Sequence, residues 1–216
     1  MKKIKTAKGR KISSIRWIER QLTDPYVQRA HKDGYRSRAA YKLLEIDEKL
    51  GGVIKQGQLI VDLGAAPGGW CQVVTQKGAK VVAIDLLPVD PMDNMVFFQM
   101  DFMDDDAPAT LMDALGGNPA DMVISDIAHN TVGHRNTDHL KIMALVEAAY
   151  DFAVAVLKQD GLFIAKVFQG GTQGELLTRM KQDFKTVKHI KPPASRKESP
   201  ETYVIAQGFR GLPELD

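Results

Sequence analysis

The 216 residues carry 44% apolar and 26% charged side chains, the balance of a single water-soluble globular domain with room for a real core. No apolar run approaches the roughly 18 residues of a membrane span, and the cationic N-terminus has no apolar stretch behind it, so neither a membrane segment nor a secretory leader is expected. Cys71 is the only cysteine, which excludes an internal disulfide and any multi-cysteine metal site and fits a cytoplasmic protein.

The net charge of +2 conceals an asymmetry: residues 1–42 hold 13 Lys/Arg against Glu19, Asp24 and Asp33, a local +10, and the rest carries −8. Clustered cations suit a polyanion, because each neutralised phosphate releases condensed counterions. Arg29, Lys32, Arg36 and Arg38, set among Tyr26, His31 and Tyr35, are candidate nucleic-acid contacts, and Arg196 and Lys197 end a second cationic stretch that begins at Lys185. A solvated lysine-rich tail is the plainer reading of residues 1–12.

In chain order, residues 1–50 form a basic extension with helical patterns at Ser13–Gln21 and Ser37–Leu50, the second carrying Ala40, Leu43, Leu44, Ile46 and Leu50 near a 3.6 period. Residues 51–216 then alternate strand and helix. Strands are predicted at Leu59–Leu63, Lys80–Leu86, Val96–Asp101, Met122–Asp126, Leu162–Phe168, Thr186–Ile190 and Thr202–Gln207, several of them the continuous Val/Ile runs of a sheet covered on both faces. Helices are predicted at Trp70–Gln76, Pro108–Leu115, Asp138–Leu157 and Gly174–Asp183, with Gly161 as the stop of the long one. This alternation predicts a doubly wound, Rossmann-like α/β sheet of seven strands, mostly parallel. The last two strands are joined by a helix-free loop, Lys191–Ser199, and read as an antiparallel pair.

The turn DLGAAPGGW, Asp62 to Trp70, follows an apolar strand and feeds a helix. Glycines there let the backbone approach a ligand, and the helix N-terminus offers free N–H groups. The spacing Gly64, Gly68, Gly69 is not the G-x-G-x-x-G cradle of a dinucleotide pyrophosphate. A nucleoside cofactor without phosphate, S-adenosylmethionine, suits the bulkier Ala65–Ala66–Pro67. Asp85, ending the next strand, is placed for ribose hydroxyls, and Asp101 for an adenine amino group.

Asp126 and Lys166 stand at the ends of the fourth and fifth predicted strands. A lysine inside an apolar strand needs a partner or a lowered pKa, unless it reaches solvent from the strand end. Histidines 129, 134 and 139 recur at five-residue steps, which does not gather them on a helix face; no metal is expected from them, nor from Asp104–Asp106.

RSRAAYKL, DLGAAPGGW, DLLPVDP, SDIAHN, AKVFQG and SPETYVIA together resemble the FtsJ/RrmJ family of RNA ribose 2′-O-methyltransferases, in order, over about residues 13–209. The resemblance implies the S-adenosylmethionine-dependent methyltransferase fold and a Lys-Asp-Lys-Glu tetrad on Lys42, Asp126, Lys166 and Glu201. It implies a donor site on Gly68, Trp70, Asp85, Asp101 and Asp126, with S-adenosylhomocysteine as product. It also implies a uridine of the 23S rRNA A-loop as substrate, within the large ribosomal subunit, and a monomeric enzyme. Lys166 would be the base or the group orienting the hydroxyl. The loop after the fourth strand departs from the family's D-M-A-P-N: His129 stands at the proline, and Asn130 is retained. A pure RNA-binding assembly factor and a nicotinamide oxidoreductase are the alternatives. The first has no need of Lys166 with Asp126, and the second is disfavoured by the glycine spacing.

Overall fold

The computed structural model describes residues 23–127, 135–168 and 174–211, with the backbone alone for 135–139. The predicted helix Ser13–Gln21, the basic tail, His129, Asn130, His134 and the His139 side chain lie outside these described residues.

Two helices precede the sheet. Helix α1, Pro25–Asp33, was not among the predicted elements, although its ends are written in the sequence: the Asp24 carboxylate caps it by accepting from the Tyr26 N–H at 3.0 Å, Pro25 opens it, and Gly34 closes it at φ 76°. Helix α2, Ala39–Lys49, buries Ala40, Leu43 and Ile46 against Trp70, Cys71, Val73 and Val74 of α3, Gly69–Gln76. Its Tyr41 turns the other way, toward Ala30 and Ala194.

The sheet follows: β1 Leu59–Leu63, β2 Lys80–Asp85, β3 Met95–Gln99, β4 Ala120–Ser125, β5 Leu157–Phe168, β6 Phe184–Ile190 and β7 Glu201–Phe209. Helices α4 Ala107–Ala114, α5 Arg135–Val156 and α6 Glu175–Asp183 complete the chain. The strand order is β3-β2-β1-β4-β5-β7-β6; β7 runs antiparallel to both its neighbours and the remaining adjacent pairs are parallel. Alternate residues face opposite layers, as period-2 geometry requires. Val61, Leu63, Val82 and Ile84 join the core under α4, α5 and α6, whereas Ile60, Val81, Ala83 and Ile124 join the core under α2 and α3.

Gly161 is not the helix stop. Helix α5 ends at Val156, and Leu157 already pairs with Ala120 in the sheet; the ladder resumes only at Leu162 opposite Met122. Residues 158–161 bulge out between these pairs, with Asp160 at φ 63°. Among the described residues, no helix is long and apolar enough to cross a membrane.

Candidate active site

The order of the sheet reverses between β1 and β4, and a doubly wound fold opens its binding crevice at that point, at the carboxyl ends of the strands. Leu63 of β1 pairs with Ser125 of β4, so the turn that begins at Gly64 faces the chain leaving Ser125. The approach is very close. A Cβ on Gly64, which sits at φ 80°, would lie 2.5 Å from Ile127 Cγ1 and 2.8 Å from its Cα. Any larger residue would push the two strand ends apart.

Beside this turn opens a cleft of about 520 Å³, walled by Gly64, Ala66, Asp85, Leu87, Asp101 and Asp126 among others. The Asp85 carboxylate ties two of its walls together, accepting from the Ala66 and Leu87 N–H groups at 2.8 Å each. Asp101 accepts from the Met103 N–H at 2.9 Å. The two acids, with exposed apolar Leu86, Leu87 and Met103 beside them, offer polar anchors and an apolar slot, a combination that fits a nucleoside. Gly68 and Trp70, expected at the donor site, are not among the residues that line this cleft. Trp70 is 2% exposed and donates its indole N–H to the Ala39 carbonyl at 2.8 Å, and Gly68 lies under Arg36 and Val89. Trp70 thus packs between α2 and α3, and Gly68 seats Arg36 and Val89 against the start of α3.

Lys42, Asp126, Lys166 and Glu201 converge at one end of the cleft. The register brings the last three together: Lys166 pairs with Tyr203, Phe168 with Glu201, and Ala165 with Ser125, which precedes Asp126. Lys42 reaches in from α2. The Lys166 ammonium donates to the Asp126 carbonyl at 2.6 Å and lies 3.0 Å from its carboxylate. Lys42 lies 3.5 Å from the other Asp126 oxygen and 2.8 Å from Glu201, so a continuous chain of charge runs Lys166–Asp126–Lys42–Glu201. Ser195 donates its hydroxyl to Glu201 at 2.9 Å and fixes the far end.

Tyr203 was not singled out from the sequence, yet it donates its hydroxyl to Asp126 at 2.7 Å from a fully buried position beside Trp70. The available signal was its place two residues after Glu201 on a strand, hence on the same face. Burial would raise the Asp126 carboxyl, but Lys166 and Lys42 outweigh it and hold the group below the ordinary carboxylate range. Burial likewise pulls the Lys42 ammonium down, and Asp126 and Glu201 more than offset it. The Tyr203 phenol is driven well up by burial and by the same two acids, so it serves as a donor. Within β1, Asp62 is fully buried with one oxygen unpartnered; burial pushes it up to about 7, against the hydrogen bond from the Cys71 thiol at 3.1 Å.

A smaller pocket of about 150 Å³ opens on the other side of the tetrad, lined by Arg38, Ala39, Lys42, Arg196, Ser199 and Glu201. Arg38 and Arg196 both reach it, but they share Asp24: Arg38 pairs with that carboxylate and donates to the Ala194 carbonyl, and Arg196 lies 3.3 Å from the same oxygen. Arg36 is committed elsewhere, to the Asp90 and Pro91 carbonyls. Arg29 lies over the Tyr41 ring at 4.5 Å and pairs with Asp33, whereas Lys32 and Lys197 are exposed. Among the described residues, no group of His, Cys, Asp and Glu could hold a metal ion.

The family model of the FtsJ-like methyltransferases matches residues 35–209. The chain is 59% identical over 214 residues to the ribosomal RNA large subunit methyltransferase E of Novosphingobium aromaticivorans, covering 98% of this chain and 96% of that one. To the protein of the same description in Sphingopyxis alaskensis it is 60% identical over 211 residues, 97% of this chain and 91% of the other. Among solved structures it is similar to a ribosomal RNA methyltransferase of Plasmodium falciparum, with a TM-score of 0.70 at 31% identity, over 82% of this chain and 100% of that one. Human methyltransferase-like protein 13, solved with SAH, shares the fold at a TM-score of 0.52 and 15% identity, over 82% of each chain. With the match spanning Lys42, Lys166 and the whole sheet, the chain belongs to the FtsJ-like methyltransferase family.

Proposed function

We propose that this chain methylates the ribose 2′-hydroxyl of a uridine in the A-loop of 23S rRNA, as a cytoplasmic monomer acting on the large ribosomal subunit. The family and its relatives make it a ribosomal RNA methyltransferase with S-adenosylmethionine as methyl donor. One observation carries the finer reading: the tetrad stands between two cavities. Asp126 lines the larger cleft, which suits the adenosyl donor, and Lys42 and Glu201 line the smaller pocket, which suits one ribose-phosphate unit.

S-adenosylmethionine supplies an electrophilic methyl on a sulfonium and leaves as a neutral thioether. Asp85 and Asp101 would hold its ribose and adenine, and the Asp126 carboxylate favours a cation at that end of the cleft. A ribose hydroxyl is a weak nucleophile, so the protein's task is in-line placement. Lys166 fits an orienting role: two of its N–H groups are taken by the Asp126 carbonyl and carboxylate, which leaves one for the hydroxyl oxygen. Lys42, pinned between Asp126 and Glu201, provides a second donor toward the acceptor pocket. The hydroxyl proton is lost to water as the O–C bond forms.

The test is nucleoside mass spectrometry of 23S rRNA from purified large subunits after incubation with enzyme and donor. We expect 2′-O-methyluridine confined to the A-loop, and a fall in turnover of about 100-fold or more for Lys166→Ala in protein that melts normally. Methyl incorporation into free tRNA alone, or near-wild-type turnover of Lys166→Ala, would overturn the reading. Donor binding without methyl incorporation into any RNA would point to an assembly factor.

A further inference from the structure

Arg36 lies in the cationic N-terminal segment, but its side chain faces into the fold. We infer that Arg36 is a positioning residue for the methyl-donor site: it braces the loop after β2 that forms one wall of the cleft. The inference rests on the donor occupying the larger cleft. That loop, residues 86–94, leaves β2 at Asp85 and contributes Leu86 and Leu87 to the cleft. Its near end is fixed by the Leu87 N–H on the Asp85 carboxylate. Its middle is held by Arg36. The Arg36 guanidinium donates to the Asp90 carbonyl at 2.7 Å and to the Pro91 carbonyl at 3.1 Å, one from each terminal nitrogen.

Arg36 is itself anchored to α3, the helix that follows the glycine turn. Its backbone N–H donates to the Gln72 side chain at 2.9 Å, and Gln72 donates in turn to the Gly34 carbonyl at 2.8 Å. The brace therefore links α3 to the loop after β2, and within the cleft Asp85 joins that same loop to the glycine turn that feeds α3. Gly68 makes the room. At φ 100° it has no side chain, and a Cβ there would lie 2.7 Å from Arg36 Nη1 and 2.9 Å from Val89 Cγ1. Gly68 therefore serves the donor site at one remove, by letting the guanidinium and the buried Val89 seat against the start of α3. With one N–H of each terminal nitrogen on a carbonyl, two of the five guanidinium donors are already committed to the loop.

The experiment measures binding of S-adenosylhomocysteine and of 23S rRNA, with steady-state kinetics, for full-length wild type, Arg36→Ala, Arg36→Lys and Gly68→Ala. For Arg36→Ala we expect adenosylhomocysteine affinity to fall by about tenfold and the donor KM to rise in parallel, with kcat and RNA affinity within about twofold. Arg36→Lys keeps the charge but reaches one carbonyl, so it recovers only part of the donor affinity and remains informative if the alanine variant misfolds. Gly68→Ala should weaken donor-product binding in the same direction. Reduced RNA affinity with unchanged adenosylhomocysteine affinity would overturn the inference and make Arg36 an RNA contact. Full recovery by Arg36→Lys would also overturn it, because charge alone would then suffice. Wild-type protein that failed to bind adenosylhomocysteine would instead overturn the donor site itself.

Discussion

Two aspartates of the neighbouring strands β1 and β4, Asp62 within the first and Asp126 just after the second, carry opposite pH consequences. Asp126 is held below the ordinary carboxylate range because Lys166 and Lys42 outweigh its burial. Its contribution to stability is therefore present above the unfolded value of about 4 and lost only as pH falls through the lower folded one. Lys42, raised above its ordinary value, contributes below the unfolded pKa of about 10.4 and loses that contribution as pH rises through the higher folded one. The Lys42–Asp126 pair is thus intact across the neutral range. Asp62 has no cation beside it, and burial pushes it up to about 7. The folded protein keeps its proton where the unfolded chain has released it, so stability falls as pH rises from about 4 toward 7. Asp62→Asn removes that slope while keeping an acceptor for the Cys71 thiol. Relative to the variant, wild type should lose on the order of 2–4 kcal/mol between pH 4 and pH 7.5, read from urea denaturation at each pH. Parallel curves for the two proteins would refute a neutral buried Asp62.

At the scale of elements, the site depends on how tightly α2 lies on α3, because Lys42 is the tetrad member carried by a helix, whereas the others stand on or next to strands. A Cβ on Gly69 would meet the Ser37 hydroxyl at 2.5 Å and the Ala40 nitrogen at 3.3 Å, so the first turn of α3 admits α2 only as glycine. Gly69→Ala should cost about 1–3 kcal/mol of unfolding free energy through overpacking. Ser37→Ala removes the nearer obstacle, an oxygen that has no hydrogen-bond partner, so the double variant should recover at least half the loss. Strict additivity in urea melts would show that the helices do not meet there. The same elements show what the sequence could and could not convey. The bounds of β1 are as predicted and most other elements shift by a few residues, because Val/Ile runs and Gly stops are local signals. Helix α1 was missed because TDPYVQRAHKD has few apolar residues to mark a period, although its cap residues were in view. The bulge of 158–161 was read as a helix end because a glycine after an apolar helical run is ambiguous until the partner strand is known.

At the scale of the molecule, the tetrad was legible as a set of residue types at strand ends, but the fates of the cations were not. Charge counts mark a basic face without saying which guanidiniums are already paired, since pairing depends on residues as distant as Asp24 and Arg196. The structure divides them into two classes with different expected behaviour. Lys32 and Lys197 are exposed, on a surface that phosphate can reach. Replacing either by alanine should lower RNA affinity uniformly across sequences and reduce the slope of log K against log salt by about one, with the melting temperature unchanged. Arg38 differs. It joins Asp24 ahead of α1 to the Ala194 carbonyl in the β6–β7 loop, whose Ser195 fixes Glu201. Arg38→Ala leaves the buried Asp24 with Arg196 alone and loosens the loop that holds the tetrad's far end. It should therefore cost about 2–4 kcal/mol of stability and reduce turnover together with RNA affinity. Salt titrations, urea melts and turnover of the three variants decide the division. An Arg38→Ala protein as stable as Lys32→Ala, differing from wild type only in its salt slope, would place Arg38 among the exposed cations and remove its link through the β6–β7 loop to Glu201.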